Sequence, residues 1–181
     1  IPQGQSVLQI RRHGHLYYQG EVADAVFFLH SGRVRLVVVS FGGKEATLSV
    51  VGPHEFFGLV GSNEDAEHLA TAIALTPVTV TRVEHAAFFK ALQANPKVCD
   101  LILVKLSSQI LSLQQTLCGH LLDCGQQRLA RALLTLSNSS EDSRPAVLTP
   151  KLSHQMLATM IGTTRARVTS FMCRFRDLGL I

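Results

Sequence analysis

From Tyr17 to about Val83 the apolar residues come in short runs rich in β-branched and aromatic side chains. These runs are cut roughly every ten residues by glycine or proline, the spacing of strands and turns. The stretch AVFFLHSGRVRLVVVSFGGKEATLSVVG breaks at Gly32, at Gly42-Gly43 and at Gly52. Gly42-Gly43 predicts a hairpin turn, because positive φ costs glycine nothing. AIALTPVTVTRV supplies a further alternating strand, with Pro53 and Pro77 expected at strand ends or edges. Short strands with turn signals between them predict a β-roll or jelly roll.

The period changes near Glu84. EHAAFFKALQANP predicts a short helix ended by Pro96, and a long helix follows. Its apolar positions fall at Cys99, Leu103, Leu106, Ile110, Leu113 and Leu117, and continue to His120 and Cys124. Steps of four and three in alternation are the seam of a coiled coil, so a homodimer is expected through Cys99, Leu103, Leu106, Ile110, Leu113, Leu117 and His120. Asp123 followed by Gln126 resembles a capping box, which ends the long helix there and starts another over QRLARALLTLS. That break is the expected hinge. SNSSEDSRPA then predicts a polar loop.

In the last segment Ser153 is a candidate N-cap, and Leu157, Ala158 and Ile161 line one face of a short helix stopped by Gly162. Thr164 caps a second helix whose apolar side is Val168, Phe171, Met172, Phe175 and Leu178. The other side carries Arg165, Arg167, Thr169, Ser170 and Arg174. Two helices joined by a glycine-containing turn, the second basic on its exposed side, predict a helix-turn-helix that enters a major groove. Thr163, Thr164, Arg165, Arg167, Thr169, Ser170 and Arg174 are the candidate DNA-binding residues. Arginine can pair with a guanine edge or a phosphate, while threonine and serine offer hydroxyls or touch a thymine methyl.

Charge supports this placement. Of 181 residues, the first 121 hold nine basic and nine acidic side chains, whereas the last 60 hold eight basic and four acidic, so the whole +4 excess is C-terminal. Lys151, Arg165, Arg167, Arg174 and Arg176 face only Asp177 after residue 150. A local basic patch implies a polyanionic partner. With 46% hydrophobic and 17% charged residues the chain is expected to fold around generous cores. Neither a signal peptide nor a membrane span is expected, which places it in the cytoplasm. Cys99, Cys118, Cys124 and Cys173 show no C-x-x-C spacing, so free thiols are expected.

LSHQMLATMIGTTRARVTSFMCRFRDLGLI, QRLARALLTLS and the QGEVADAVFFLHSGRVRLVVVS...GKEATLSVVGPHEFFG stretch together resemble the CRP/FNR superfamily of bacterial transcription regulators. The resemblance covers nearly the whole chain. It implies an α+β protein: an N-terminal cyclic-nucleotide-binding-like β-roll or jelly roll over residues 1–94, a dimerisation helix over 95–122, and a winged helix-turn-helix over 123–181. The chain stops where the wing hairpin begins in that family. Double-stranded DNA, a second copy of the chain and RNA polymerase are the implied partners, with an unnamed small-molecule effector, no membrane and no enzymatic activity.

By the same resemblance, Arg165 matches the arginine that opens the recognition helix. Ala166 stands where many members have a base-reading glutamate, and Ser170 where many have a second base-reading arginine. The effector-pocket candidates are Phe57, Gly58, Leu59, His68, Leu69, Ala70, Thr71 and Ser112. Members that bind cyclic AMP use a Gly-Glu pair for the ribose and an Arg-Ser pair for the cyclic phosphate. Here Leu59 replaces that glutamate, and His68 and Leu69 replace the Arg-Ser pair. Leucine cannot accept a ribose hydroxyl and a neutral histidine is no guanidinium fork, so cyclic AMP in the usual mode is disfavoured and no cofactor is assigned.

Two other chemistries are weighed. His13, His15 and Glu21 in HGHLYYQGE could serve a cupin-like metal site, or a β-roll module that does not act on DNA, although the glutamate falls later than cupin spacing and no metal is assigned. His120, Cys99 and Cys124 on the seam could meet their copies across a two-fold axis as a redox or haem sensor. Small residues that merely fit the seam are the simpler reading.

Overall fold

β-branched and aromatic residues pack on a pleated surface, and the apolar runs of the first half accordingly lie in two antiparallel sheets. The computed structural model describes residues 4–59, 66–138 and 152–181. The strands are β1 (Gln5–Ile10), β2 (His15–Tyr17), β3 (Ala25–Ser31), β4 (Val34–Val39), β5 (Glu45–Val51), β6 (Phe56–Phe57), β7 (Thr71–Ala74) and β8 (Val78–Glu84). One sheet has the order β1-β8-β3-β6 and the other β2-β7-β4-β5. The helices are α1 (His85–Ala94), α2 (Pro96–Leu122), α3 (Gly125–Asn138), α4 (His154–Ile161) and α5 (Arg165–Asp177).

The chain divides into two compact units, residues 1–110 and 111–181. In the first, side chains of both sheets meet in one core: Phe27, Leu29, Phe57, Val78 and Val80 from one, Tyr17, Val34, Val51, Ala72 and Ala74 from the other. The register sets this up. Val34 pairs with Val51 and with Ala74, so the inward residues of three neighbouring strands stand side by side. Fully burying a residue such as Leu29 contributes about 2 kcal/mol against leaving it exposed. The sequence reading began the strands at Tyr17 and missed β1, which pairs with β8 through Leu8 and Val80. The β4–β5 hairpin closes at Ser40–Lys44, with only Gly43 of the two glycines at positive φ.

Pro96 both ends α1 and opens α2, a position where its missing N–H is no loss. Phe88 of α1 sits by Phe56, and Gln109 of α2 donates from Nε2 to the Phe56 carbonyl at 2.9 Å.

In the second unit the α2–α3 break has a different cap from the expected one. Cys124 donates its N–H to Gln127 Oε1 at 2.9 Å, so the capping pair is Cys124 and Gln127, one residue beyond Asp123 and Gln126. Asp123 instead binds Arg131, with Nη2 at 2.9 Å and Nε at 3.0 Å from Oδ2. Gly119 makes room for this pair, since a Cβ there would stand 3.1 Å from both Arg131 Nε and Asp123 Oδ2. Arg128 also donates to the carbonyl of His120 at 3.3 Å, satisfying an end of α2 that lacks helical partners. Cys124 lies past Leu122, so it is not a seam residue of α2. Leu129, Leu136, Leu157, Ala158, Ile161 and Val168 form the core of this unit. Most of the predicted polar loop, from residue 139, lies outside the described residues, as does Lys151.

Candidate functional site

The α4–α5 pair is built by its caps. Ser153 Oγ accepts from the Met156 N–H at 3.1 Å and starts α4. Gly162 ends it in the left-handed region (φ 65), where a side chain would meet nothing within 4 Å. Glycine is favoured there by backbone conformation, not by crowding. Thr164 then caps α5, its hydroxyl accepting from the Arg167 N–H at 3.4 Å.

Buried Leu157, Ala158 and Ile161 receive Val168 between the helices, as the apolar spacing predicts, with Phe171, Met172 and Phe175 half-buried. Leu178 departs from that pattern: it lies past the end of α5 and is exposed. At 3.6 residues per turn, burying Val168 and Phe171 turns Ala166, Ser170 and Cys173 to the centre of the outer face. Arg165 and Thr169 stand together on one flank, Arg167 and Arg174 on the other. Small residues at the centre let the helix come close to a surface, and arginines beside them reach around it.

The candidates differ in how free they are. Arg165, Arg167, Thr169 and Ser170 are exposed. Thr163 is half-buried and its N–H caps the Ala158 carbonyl at 3.0 Å. Arg174 reaches back to α3, donating from Nη1 to Gln126 Oε1 at 3.4 Å. Thr169 Oγ1 donates to the Arg165 carbonyl at 3.1 Å and lies 2.9 Å from His154 Nδ1. The sequence gives His154 no role and offers Gln126 only as a capping residue. Only the geometry of a helix-turn-helix, which brings the start of the first helix to the second, signals the His154 contact.

The effector-pocket candidates stand in different settings. Phe57 and Ala70 are buried in or beside the roll core, and Gly58 turns the chain after β6 at φ 75. Leu59 is partly exposed and Leu69 is 74% exposed. Thr71 Oγ1 accepts from the Gln19 N–H at 3.0 Å. Ser112 is exposed on α2, in the second unit. His68 is only 4% exposed and its ring stacks on Tyr17, with centroids 3.6 Å apart and planes at 13°. Its backbone pairs with Glu21 and Gly20, its N–H donating to the Glu21 carbonyl and its carbonyl accepting from the Gly20 N–H. Burial lowers the His68 pKa, the charges of Glu21 and Asp24 oppose that, and His85 adds to it. Burial likewise raises the Tyr17 hydroxyl pKa. A histidine held this way is packed as a core residue.

On α2, Leu103, Ile110, Leu113 and Leu117 are each more than half exposed, and His120 is exposed too. Cys99 and Leu106 are half-buried and border a groove of about 340 Å³ with Leu59, Phe88, Phe89, Leu92, Ile102 and Leu103. Cys99, Cys118, Cys124 and Cys173 are free thiols. Among the described residues no three or more His, Cys, Asp or Glu side chains gather as metal ligands, so His13, His15 and Glu21 are not brought into such a group. His15 stacks on Tyr18 instead, at 4.8 Å. No helix among the described residues is long and apolar enough to cross a membrane.

Comparison with known proteins agrees with this arrangement over both units. The cyclic nucleotide-binding domain family matches residues 7–95, and the Crp-like helix-turn-helix domain family matches residues 127–181. The global nitrogen regulator of Synechococcus elongatus is 32% identical over 180 residues, spanning 96% of this chain and 80% of that protein. The cAMP-activated global transcriptional regulator CRP of Salmonella typhimurium is 29% identical over 173 residues, spanning 92% and 80%. Among solved structures, FixK2 from Bradyrhizobium japonicum superposes with a TM-score of 0.82 at 18% identity, covering 97% of this chain and 86% of that one.

Proposed function

The chain belongs to the CRP/FNR family of transcription regulators, and on that premise we propose that it acts as a homodimer gripping double-stranded DNA through two copies of α5. The observation that carries this reading is the construction of α5 itself. Val168 is sunk between the helices, and the exposed side has a centre of small residues flanked by Arg165 and Arg167. The unpartnered apolar seam of α2 supports the dimer, since a helix face of this kind is normally covered. A regulator bound to the chromosome works in the cytoplasm and meets RNA polymerase there.

Two recognition helices held by a two-fold axis read half-sites about 34 Å apart, one turn of the duplex. Selection of bound sequences from randomised duplexes tests this. An inverted repeat with half-site centres about 10 base pairs apart is the expected result. Enrichment of a single unrepeated site, or of none, would overturn the dimeric reading.

The β-roll, on the same proposal, senses something other than cyclic AMP held in the usual manner. Leu59 and Leu69 offer no polar group to a ribose or phosphate, and His68 is committed to Tyr17. Any effector acts by preferring one arrangement of the DNA-binding units over another, because a ligand with equal affinity for both states shifts nothing. Cyclic AMP at 100 times a functional dissociation constant would stabilise the protein by about 2.7 kcal/mol. No change in melting temperature at millimolar cyclic AMP is expected, and a rise of several degrees would restore the nucleotide pocket.

A further inference from the structure

Thr169 is exposed on α5 one turn after Arg165, yet its hydroxyl is already committed. Oγ1 lies 3.1 Å from the Arg165 carbonyl and 2.9 Å from His154 Nδ1. A threonine hydroxyl has one proton to give. When the proton goes to the carbonyl, His154 donates from Nδ1; when it goes to Nδ1, the ring accepts. In neither arrangement is a proton left for a base or a phosphate, and the oxygen is held against its own helix and the first residue of α4. The methyl group is the part of the side chain that neither bond engages.

We infer that His154 is a positioning residue that pins the Thr169 hydroxyl, so that α5 presents the Thr169 methyl and reads a thymine through its C5-methyl group. The inference rests on α5 being the helix that enters the major groove. There the thymine methyl is a feature read by apolar contact, threonine methyls included. His154 acts only through Thr169 and confers sequence preference without touching the base.

The test uses the full chain and its selected duplex, with each thymine replaced in turn by deoxyuridine, which lacks only that methyl. One thymine per half-site is expected to lose about three- to fourfold in affinity, the effect of withdrawing one methyl from apolar contact. Thr169→Val keeps the methyl and should keep this loss. Thr169→Ser keeps the hydroxyl and should abolish it. His154→Ala should blunt it, and His154→Asn should restore it, because the asparagine Nδ2 sits the same number of bonds from the backbone as histidine Nδ1. A thymine effect that survives Thr169→Ser, or disappears in Thr169→Val, overturns the inference. So does wild-type binding with no sensitive thymine. Absence of duplex binding by the wild type would instead strike the DNA-binding reading beneath it, and melting curves of each variant separate loss of fold from loss of readout.

Discussion

A histidine buried against a tyrosine inside a β-roll is poorly solvated, which disfavours its charged form. His68 has a lowered pKa in the folded chain because of burial, against an ordinary value near 6.5 when unfolded. Below that range the unfolded chain binds more protons than the folded one. The stability His68 contributes is therefore complete above about pH 6.5 and is lost as pH falls through that value toward the depressed folded one. We expect the melting temperature to fall between about pH 7.5 and 5.5, and His68→Phe, which can still stack on Tyr17, to shrink that fall. An unchanged fall would mean that His68 takes up its proton in the folded state. On α5, Arg165→Ala should cost about 1 to 3 kcal/mol on the selected duplex and relax preference at one position. Equal loss on every sequence would make Arg165 a phosphate contact. The sequence exposed which residue types had changed at positions 59, 68 and 69. It did not expose that His68 is packed in the core, because its partner Tyr17 lies 51 residues away and nothing in the spacing links them. The His154–Thr169 contact was hidden for the same reason.

At the scale of elements, α2 is a 27-residue helix in which only Gly119 is fully buried. Its apolar seam was legible because alternating steps of four and three need no tertiary information. Its end at Leu122 falls where expected, but the cap that opens α3 is shifted by one residue, since Asp123 has the chemistry of a cap but is drawn to Arg131, leaving the capping pair to Cys124 and Gln127. The helix-turn-helix was the most legible part. Ser153, Gly162 and Thr164 are local signals whose meaning survives folding. β1 was the least legible strand, because its burial comes from β8, some seventy residues later in the chain. Ile110→Asp places a charge on the exposed seam and should convert a dimer to a monomer in sedimentation while leaving the melting of the β-roll nearly unchanged. A wild type that sediments as a monomer would remove the seam as an interface. Thr164→Ala should destabilise the second unit by about 1 kcal/mol through loss of its cap, read as a lower unfolding midpoint.

For the whole molecule, the division of charge is the feature with the widest consequence. The first 121 residues are neutral in formal charge and the last 60 carry +4, so the electrostatic attraction to a polyanion belongs to the end that holds α5. A β-roll with buried aromatics and a helix-turn-helix with exposed arginines are separate solutions to packing. On the proposed reading, the residues at positions 59, 68, 69, 166 and 170 would give this chain an effector and an operator different from those of the cyclic AMP-binding members. Duplex binding by a dimer is tested most directly by the affinity for the selected duplex across a series of potassium chloride concentrations, with stoichiometry. Displaced counterions make log K fall with log salt at a slope of about −0.9 for each phosphate neutralised. Two chains per duplex, a steep negative slope, and a shallower slope when Arg167 is replaced by alanine are expected. A slope near zero, or no binding at low salt, would contradict duplex binding by a dimer.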